Sequence, residues 1–110
     1  MNAFKLSILF FLIIVTLTTI NSIIINAMTD TLLGLIDSTE EFSAKWQEYR
    51  PYLSIMLTEE HLYTIEIALA EMHTYQQAKE TAEYLSARAR LQLTIQRIRR
   101  FEQIALENLI

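Results

Sequence analysis

The sequence predicts an all-α protein, an N-terminal transmembrane helix followed by a small three-helix antiparallel bundle. Three observations carry that expectation. The 110 residues include only one glycine, Gly34, and one proline, Pro51. An average chain has roughly 7% Gly and 5% Pro, so breakers are too few for a sandwich, a barrel or a Gly-rich phosphate loop. The stretch from Leu6 to Ile25 contains no charged residue. Beyond it, apolar residues recur at spacings of three and four, the period of a helix with one buried face. The length suits one small domain, and the absence of cysteine leaves it without disulfide staples.

Taken in order, residues 1–5 are expected to form a cytoplasmic tip, 6–27 a transmembrane anchor and 28–110 an extracytoplasmic helical domain. As a helix, Leu6 to Ile25 spans about 30 Å, the thickness of a bilayer's hydrocarbon core. The rival is a secretory signal peptide with Lys5 as its basic region and a cleavage point after Ala27. The apolar run exceeds the roughly 7–15 residues of a signal core, Ile25 is a poor small residue upstream of cleavage, and no cysteine follows. An uncleaved anchor is therefore preferred. Lys5 and the α-amine precede the span, whereas Asp30, Asp37, Glu40 and Glu41 follow it before the next basic residue, Lys45. The positive-inside rule then leaves the N-terminus in the cytoplasm. Thr16, Thr18, Thr19, Asn21 and Ser22 gather in the outer half of the span. Hydroxyls there can return to a backbone carbonyl one turn earlier. Asn21 is either hydrated near the outer interface or a candidate for intramembrane helix association.

Leu32, Leu35, Ile36, Phe42, Trp46 and Tyr49 share one helical phase. They predict an amphipathic helix capped by Thr29 or Asp30 and ended before Pro51, or else one continuous rod from the span through residue 49. A second helix is expected to open briefly at Pro51 and restart at Thr58, where Thr-Glu-Glu-His reads as an N-cap and an acidic first turn. Its stripe is Leu62, Ile65, Ala68, Leu69 and Met72. A turn is placed at Gln76 to Glu80, since an unbroken helix from Thr58 to Leu106 would leave its apolar face uncovered unless it dimerised. The third helix then carries Ala82, Leu85, Leu91, Ile95, Ile98, Ala105 and Leu109 inward. Residues 30–71 hold nine acids against Lys45 and Arg50, while Arg88, Arg90, Arg97, Arg99 and Arg100 follow. Opposite charge favours antiparallel pairing of the last helix with the acidic half, although each exposed pair is worth at most about 1 kcal/mol.

The single span followed by Asn21-Ser22, Asn26 and Thr29-Asp30-x-Leu32 resembles a known bacterial family. So do the Trp46 helix, the Arg50-x-Tyr52-Leu53-Ser54 run, His61 four residues before Ile65, and the terminal Leu106-Glu107-Asn108-Leu109-Ile110. That family is domain-of-unknown-function family 4363, found mainly in Gram-positive, often spore-forming bacteria. The resemblance implies a single-span anchor carrying a small helical domain, with no assigned activity. One departure is the turn before the last helix, where relatives tend to have Gly or Asp and this chain has Gln76, Gln77, Ala78 and Lys79.

The residues that carry chemistry elsewhere are sparse. His61 and His73 lie 12 residues apart on one predicted helix, about 120° apart around its axis and too far along it to share an ion. The Glu-x-x-His spacing used by metal-binding bundles does not occur. A surface or interface histidine is the plain reading. Trp46, in phase with Leu32, Leu35, Phe42 and Tyr49, is expected in the core. Tyr52, Leu53, Ile55, Met56 and Leu57 form either a buried connector or an exposed docking patch. The arginines can bind anionic headgroups, wall polymer or nucleic acid, but interhelical pairing accounts for them more simply in a chain of net charge −4. Without a nucleophile triad, a Gly-rich loop or zinc spacing, neither enzymatic activity nor a cofactor is expected.

These readings converge on a membrane-anchored scaffold or adaptor module that works by binding. Its candidate interaction surface is Tyr52, Leu53, Met56, His61, Arg88, Arg97 and Arg100. The expected partners are the bilayer and another protein or a second copy, with no nucleic acid. The alternatives are a membrane-proximal ligand or stress sensor, which must signal through a partner because only about five residues precede the span, and a self-assembling membrane protein using Asn21.

Overall fold

The computed structural model describes residues 2–109, the side chain of Leu109 excepted, so the inward placement expected for Leu109 lies outside the described residues. Four helices follow one another among them: α1 (Ala3–Gly34), α2 (Thr39–Met56), α3 (Glu59–Gln77) and α4 (Thr81–Leu109). The fold is all-α with a long apolar N-terminal helix, as the sequence predicts. The molecule is a rod of 66 × 23 × 22 Å, because the N-terminal half of α1 projects beyond the bundle that its C-terminal half enters.

The C-terminal half of α1 joins the three later helices as a fourth wall. Ser22, Ile25, Thr29 and Leu32 of α1 are buried, and Ile36 continues their phase just beyond it. The spacing alternates three and four, the seam of an antiparallel helix pair. Its main neighbour is α4, which also packs along α3, while α2 touches α1 and α3 and closes the ring. The core is Ile25, Leu32, Phe42, Trp46, Leu53, Ile65, Met72, Leu91 and Ile95, all at 2% exposure or less. Each such side chain contributes about 1.5–3 kcal/mol when fully buried.

Three local expectations are corrected. The helix expected across residues 32–49 is broken at Leu35 to Ser38. There the amides of Leu35, Ile36 and Ser38 each donate to the carbonyl three residues back. The cap is Ser38, whose Oγ accepts from the Glu41 amide at 3.3 Å. Thr29 lies inside α1 instead, its hydroxyl donating to the Ile25 carbonyl at 2.8 Å. The second correction concerns Pro51, which does not end the helix. Proline removes one donor, and α2 tolerates that loss because Leu53, two residues further on, is buried in the core and Leu57 N–H closes on the Leu53 carbonyl. Third, the inward face of α4 is Ala87, Leu91, Thr94, Ile95 and Ile98, so Ala82 is exposed and Leu85 is 45% exposed.

Two other boundaries fall as expected. Thr58 caps α3 through its hydroxyl, which accepts from the His61 amide. The turn between α3 and α4 occupies Ala78 to Glu80, inside the window placed from the sequence. Lys79 takes a positive φ of 58° there. Glu80 N–H reaches back to the Tyr75 carbonyl and Lys79 N–H to the Gln76 carbonyl, the bonding pattern of a Schellman helix end.

Candidate interaction surface

The end of the bundle from which the apolar part of α1 emerges is fixed by two side-chain bonds. Ser22, fully buried, donates to Glu102 Oε2 of α4 at 2.7 Å. Tyr52 of α2 donates its hydroxyl to Asn21 Oδ1 at 2.7 Å. Asn21 is thus bonded within the chain, to α2. Beyond this level α1 continues toward Ala3 with Phe4, Leu6, Ile8, Leu9, Phe10, Phe11, Leu12, Ile13, Ile14, Leu17 and Ile20 all exposed. It is the one helix among the described residues that is long and apolar enough to cross a membrane. Thr18 and Thr19 return their hydroxyls to the Ile14 and Val15 carbonyls at 2.8 Å, which keeps those groups satisfied away from water.

At the same end a groove of about 320 Å³ opens between the α2–α3 connection and α4. Met56, Leu57, His61, Ile98, Phe101 and Glu102 shape it. The His61 ring lies 6.0 Å from that of Phe101, tilted at 43°. A second groove of about 360 Å³ separates α2 from α3 and includes Trp46, Gln47, Arg50, Glu66 and His73. Trp46 Nε1 is buried there without a hydrogen-bond partner among the described residues. The two histidines therefore serve different grooves. Among the described residues no group of three or more His, Cys, Asp or Glu comes together.

The structure divides the predicted surface. Met56 and His61 line the first groove, whereas Tyr52 is half-buried against α1, bonded to Asn21. Leu53 is 1% exposed and so belongs to the core, because the helix running through Pro51 turns it inward while Ile55, at 75%, faces out. Arg97 and Arg100 are exposed on α4. Arg88 lies toward the other end of the bundle, bonded to Asp37 at 2.9 Å. Arg90 pairs with Glu71 and Arg99 with Asp30, the latter at 3.5 Å. The pairing of the basic helix with the acidic half is thus present in three places. The hydrogen bond from Arg90 holds the Glu71 carboxyl below its ordinary range, against an opposing push from partial burial. Sequence reasoning named Ile55 in the patch beside Pro51 and Ile98 as inward, but it missed Phe101 and Glu102. The only available signal was their position at the same end as Met56, which depends on helix lengths not yet known.

A family model described as Domain of unknown function (DUF4363) matches residues 35–109. The chain belongs to the DUF4363 family. The matched segment begins just after Gly34, so it comprises α2, α3 and α4 and leaves α1 outside. No curated protein and no solved structure matches the chain. In this DUF4363 protein the core of the matched helices also includes Ile25 and Leu32 of α1.

Proposed function

We propose that this protein is a membrane-anchored helical interaction module, a scaffold or adaptor without catalytic activity, held with its N-terminus in the cytoplasm and its bundle outside. The observation that carries the reading is the division of α1. Its first half exposes a continuous apolar surface, and its second half is a wall of the bundle. In water the exposed half would be a strong aggregation liability; in a bilayer it is satisfied. The same division argues for an anchor that is not cleaved. Cleavage after Ala27 would remove Ser22 and Ile25, and with them the bond to Glu102 and part of the core. One continuous helix then transmits the membrane's position to the bundle without a flexible linker. That confinement raises the effective concentration of the surface for any membrane-bound partner.

The test is site-specific photocrosslinking of the full chain in its native membrane, with probes at Met56, Arg97 and Arg100. A recurrent adduct to one other envelope protein is the expected result and identifies the partner. Adducts to the chain itself alone would replace the adaptor reading by self-assembly. Topology reporters fused after Leu109 and before Ala3 should give opposite compartments, and the reverse assignment would overturn the orientation.

A further inference from the structure

The bundle reaches further down α1 than a simple stalk allows. The Ser22–Glu102 bond sets the level of α4 against α1, and α4 continues seven residues past it to Leu109, about 10 Å at 1.5 Å per residue. The Tyr52–Asn21 bond does the same for α2, which runs four residues further to Met56, about 6 Å. Val15, Thr18 and Thr19 are half-buried where the rest of the overhang is exposed, and so are Ala105 and Leu106 on α4. Both descending helices therefore end beside α1 near residues 15–17, below the level of Ile20. The uncharged stretch of α1 left clear, from Leu6 to about Thr16, is only about 16 Å long. A hydrocarbon core is about 30 Å thick, and the headgroup layers bring a bilayer to about 40–45 Å.

We infer that the end of the bundle is itself seated in the membrane interface, with Ile55, Met56, Phe101 and Ile104 in contact with lipid. This rests on α1 being an anchor. The side chains at that end fit the position. Ile55, Phe101 and Ile104 are 75%, 57% and 46% exposed, and Met56 is 37% exposed. Arg100 stands one turn above Ile104, where its guanidinium can reach lipid phosphates while the ring of Phe101 lies lower. Glu107, about one turn nearer the membrane than Ile104, and Glu59 and Glu60 are exposed at the same end, so their carboxylates stay hydrated and the bilayer thins around that end to match the short span. The 320 Å³ groove between Met56 and Phe101 consequently opens toward lipid. The lipid surface is thus a second binding partner of the bundle, fixing its tilt and restricting the face it offers to other proteins.

The chain has no cysteine, so Ile55→Cys, Ile104→Cys, Leu93→Cys and Phe10→Cys each place a single spin label. The full-length variants are reconstituted in nanodiscs of phosphatidylethanolamine and phosphatidylglycerol, and collision rates with oxygen and a water-soluble nickel chelate are compared. Emission from the buried Trp46 confirms that each variant is folded. Labels at 55 and 104 are expected to gain oxygen collisions and lose nickel collisions relative to the label at 93, which stays aqueous. Position 10 lipid-exposed with 55 and 104 as aqueous as 93 would overturn this inference and leave the anchor intact. Position 10 aqueous would overturn both.

Discussion

Mutation of Ser22 and Glu102 in a double cycle measures how firmly the apolar helix is joined to the bundle. The Ser22 hydroxyl is fully buried and bonded to a carboxylate on α4. A hydrogen bond to a charged group contributes about 1.5–3 kcal/mol net. Glu102→Ala removes the acceptor, but Ser22 then has a fallback one turn back, the Thr18 carbonyl, as Thr18, Thr19, Thr29 and Thr31 already use theirs. Recovering a neutral bond returns about 1 kcal/mol, so the expected loss is about 0.5–2 kcal/mol. Ser22→Ala leaves a half-exposed carboxylate that can rehydrate, and its cost falls in the same range of about 0.5–2 kcal/mol. The double variant should cost little more than either single one, giving a coupling of about 1 kcal/mol. The assay is denaturant unfolding of the full chain in non-ionic micelles, followed by emission of Trp46, the only tryptophan and 1% exposed. Single effects that add to within about 0.3 kcal/mol would show that the bond does not hold α4 to α1. The register on which the lipid-seated end depends would then fall.

Leu91→Ala, which empties a fully buried site between helices, should lower unfolding stability by about 2–5 kcal/mol in the same assay. Pro51→Ala should raise it by about 1–2 kcal/mol. The change restores the amide missing inside α2, which is worth up to about 3 kcal/mol, and the unfolded chain's added freedom offsets about 0.4–1 kcal/mol of that. Glu71→Gln tests the Arg90 pair through pH. Because the folded-state carboxyl is held below its unfolded value, its contribution is present above the ordinary carboxylate range and lost as pH falls through the depressed value. The stability difference from the parent, at most about 1 kcal/mol for so exposed a pair, should therefore be constant near neutrality and vanish in acid. A difference that grows on acidification would refute the assignment.

What could be read from the sequence follows from where the apolar pattern had contrast. The α3 stripe from Ile65 to Met72 stands among charged neighbours, and those residues are buried as expected. The seam of α1 had no such contrast. Ser22, Ile25, Thr29 and Leu32 keep a three-four spacing, but Ser22 and Ile25 merge into a run that reads as membrane alone, while Thr29 and Leu32 read as the start of the next helix. The break before α2 was legible in principle. Ser38 and Glu41 stand at capping-box spacing just before Phe42, yet the unbroken phase from Leu32 to Tyr49 hid it. That phase survives because the turn at Leu35 to Ser38 returns the chain to the same core. The interaction end was legible least of all, since Met56, His61 and Phe101 meet only once two hairpins have set their levels.

The turn between α3 and α4 keeps a helix end that favours glycine without using one. This chain carries Lys79 there at φ 58°, the left-handed position of the helix end. A side chain there crowds the following carbonyl and costs roughly 1–2 kcal/mol, which glycine does not incur. The bonds from Glu80 to Tyr75 and from Lys79 to Gln76 are both backbone bonds, so they survive any side chain at that position. Lys79→Gly should therefore raise stability, by about 0.5–1 kcal/mol once the greater freedom of glycine in the unfolded chain is subtracted. Lys79→Ala, which keeps the strained Cβ, should give no such gain. Paired unfolding curves of the two variants decide it. Equal stability would mean that the turn relaxes away from the left-handed conformation, and the bonding pattern that orients α4 against α3 would have to be redrawn.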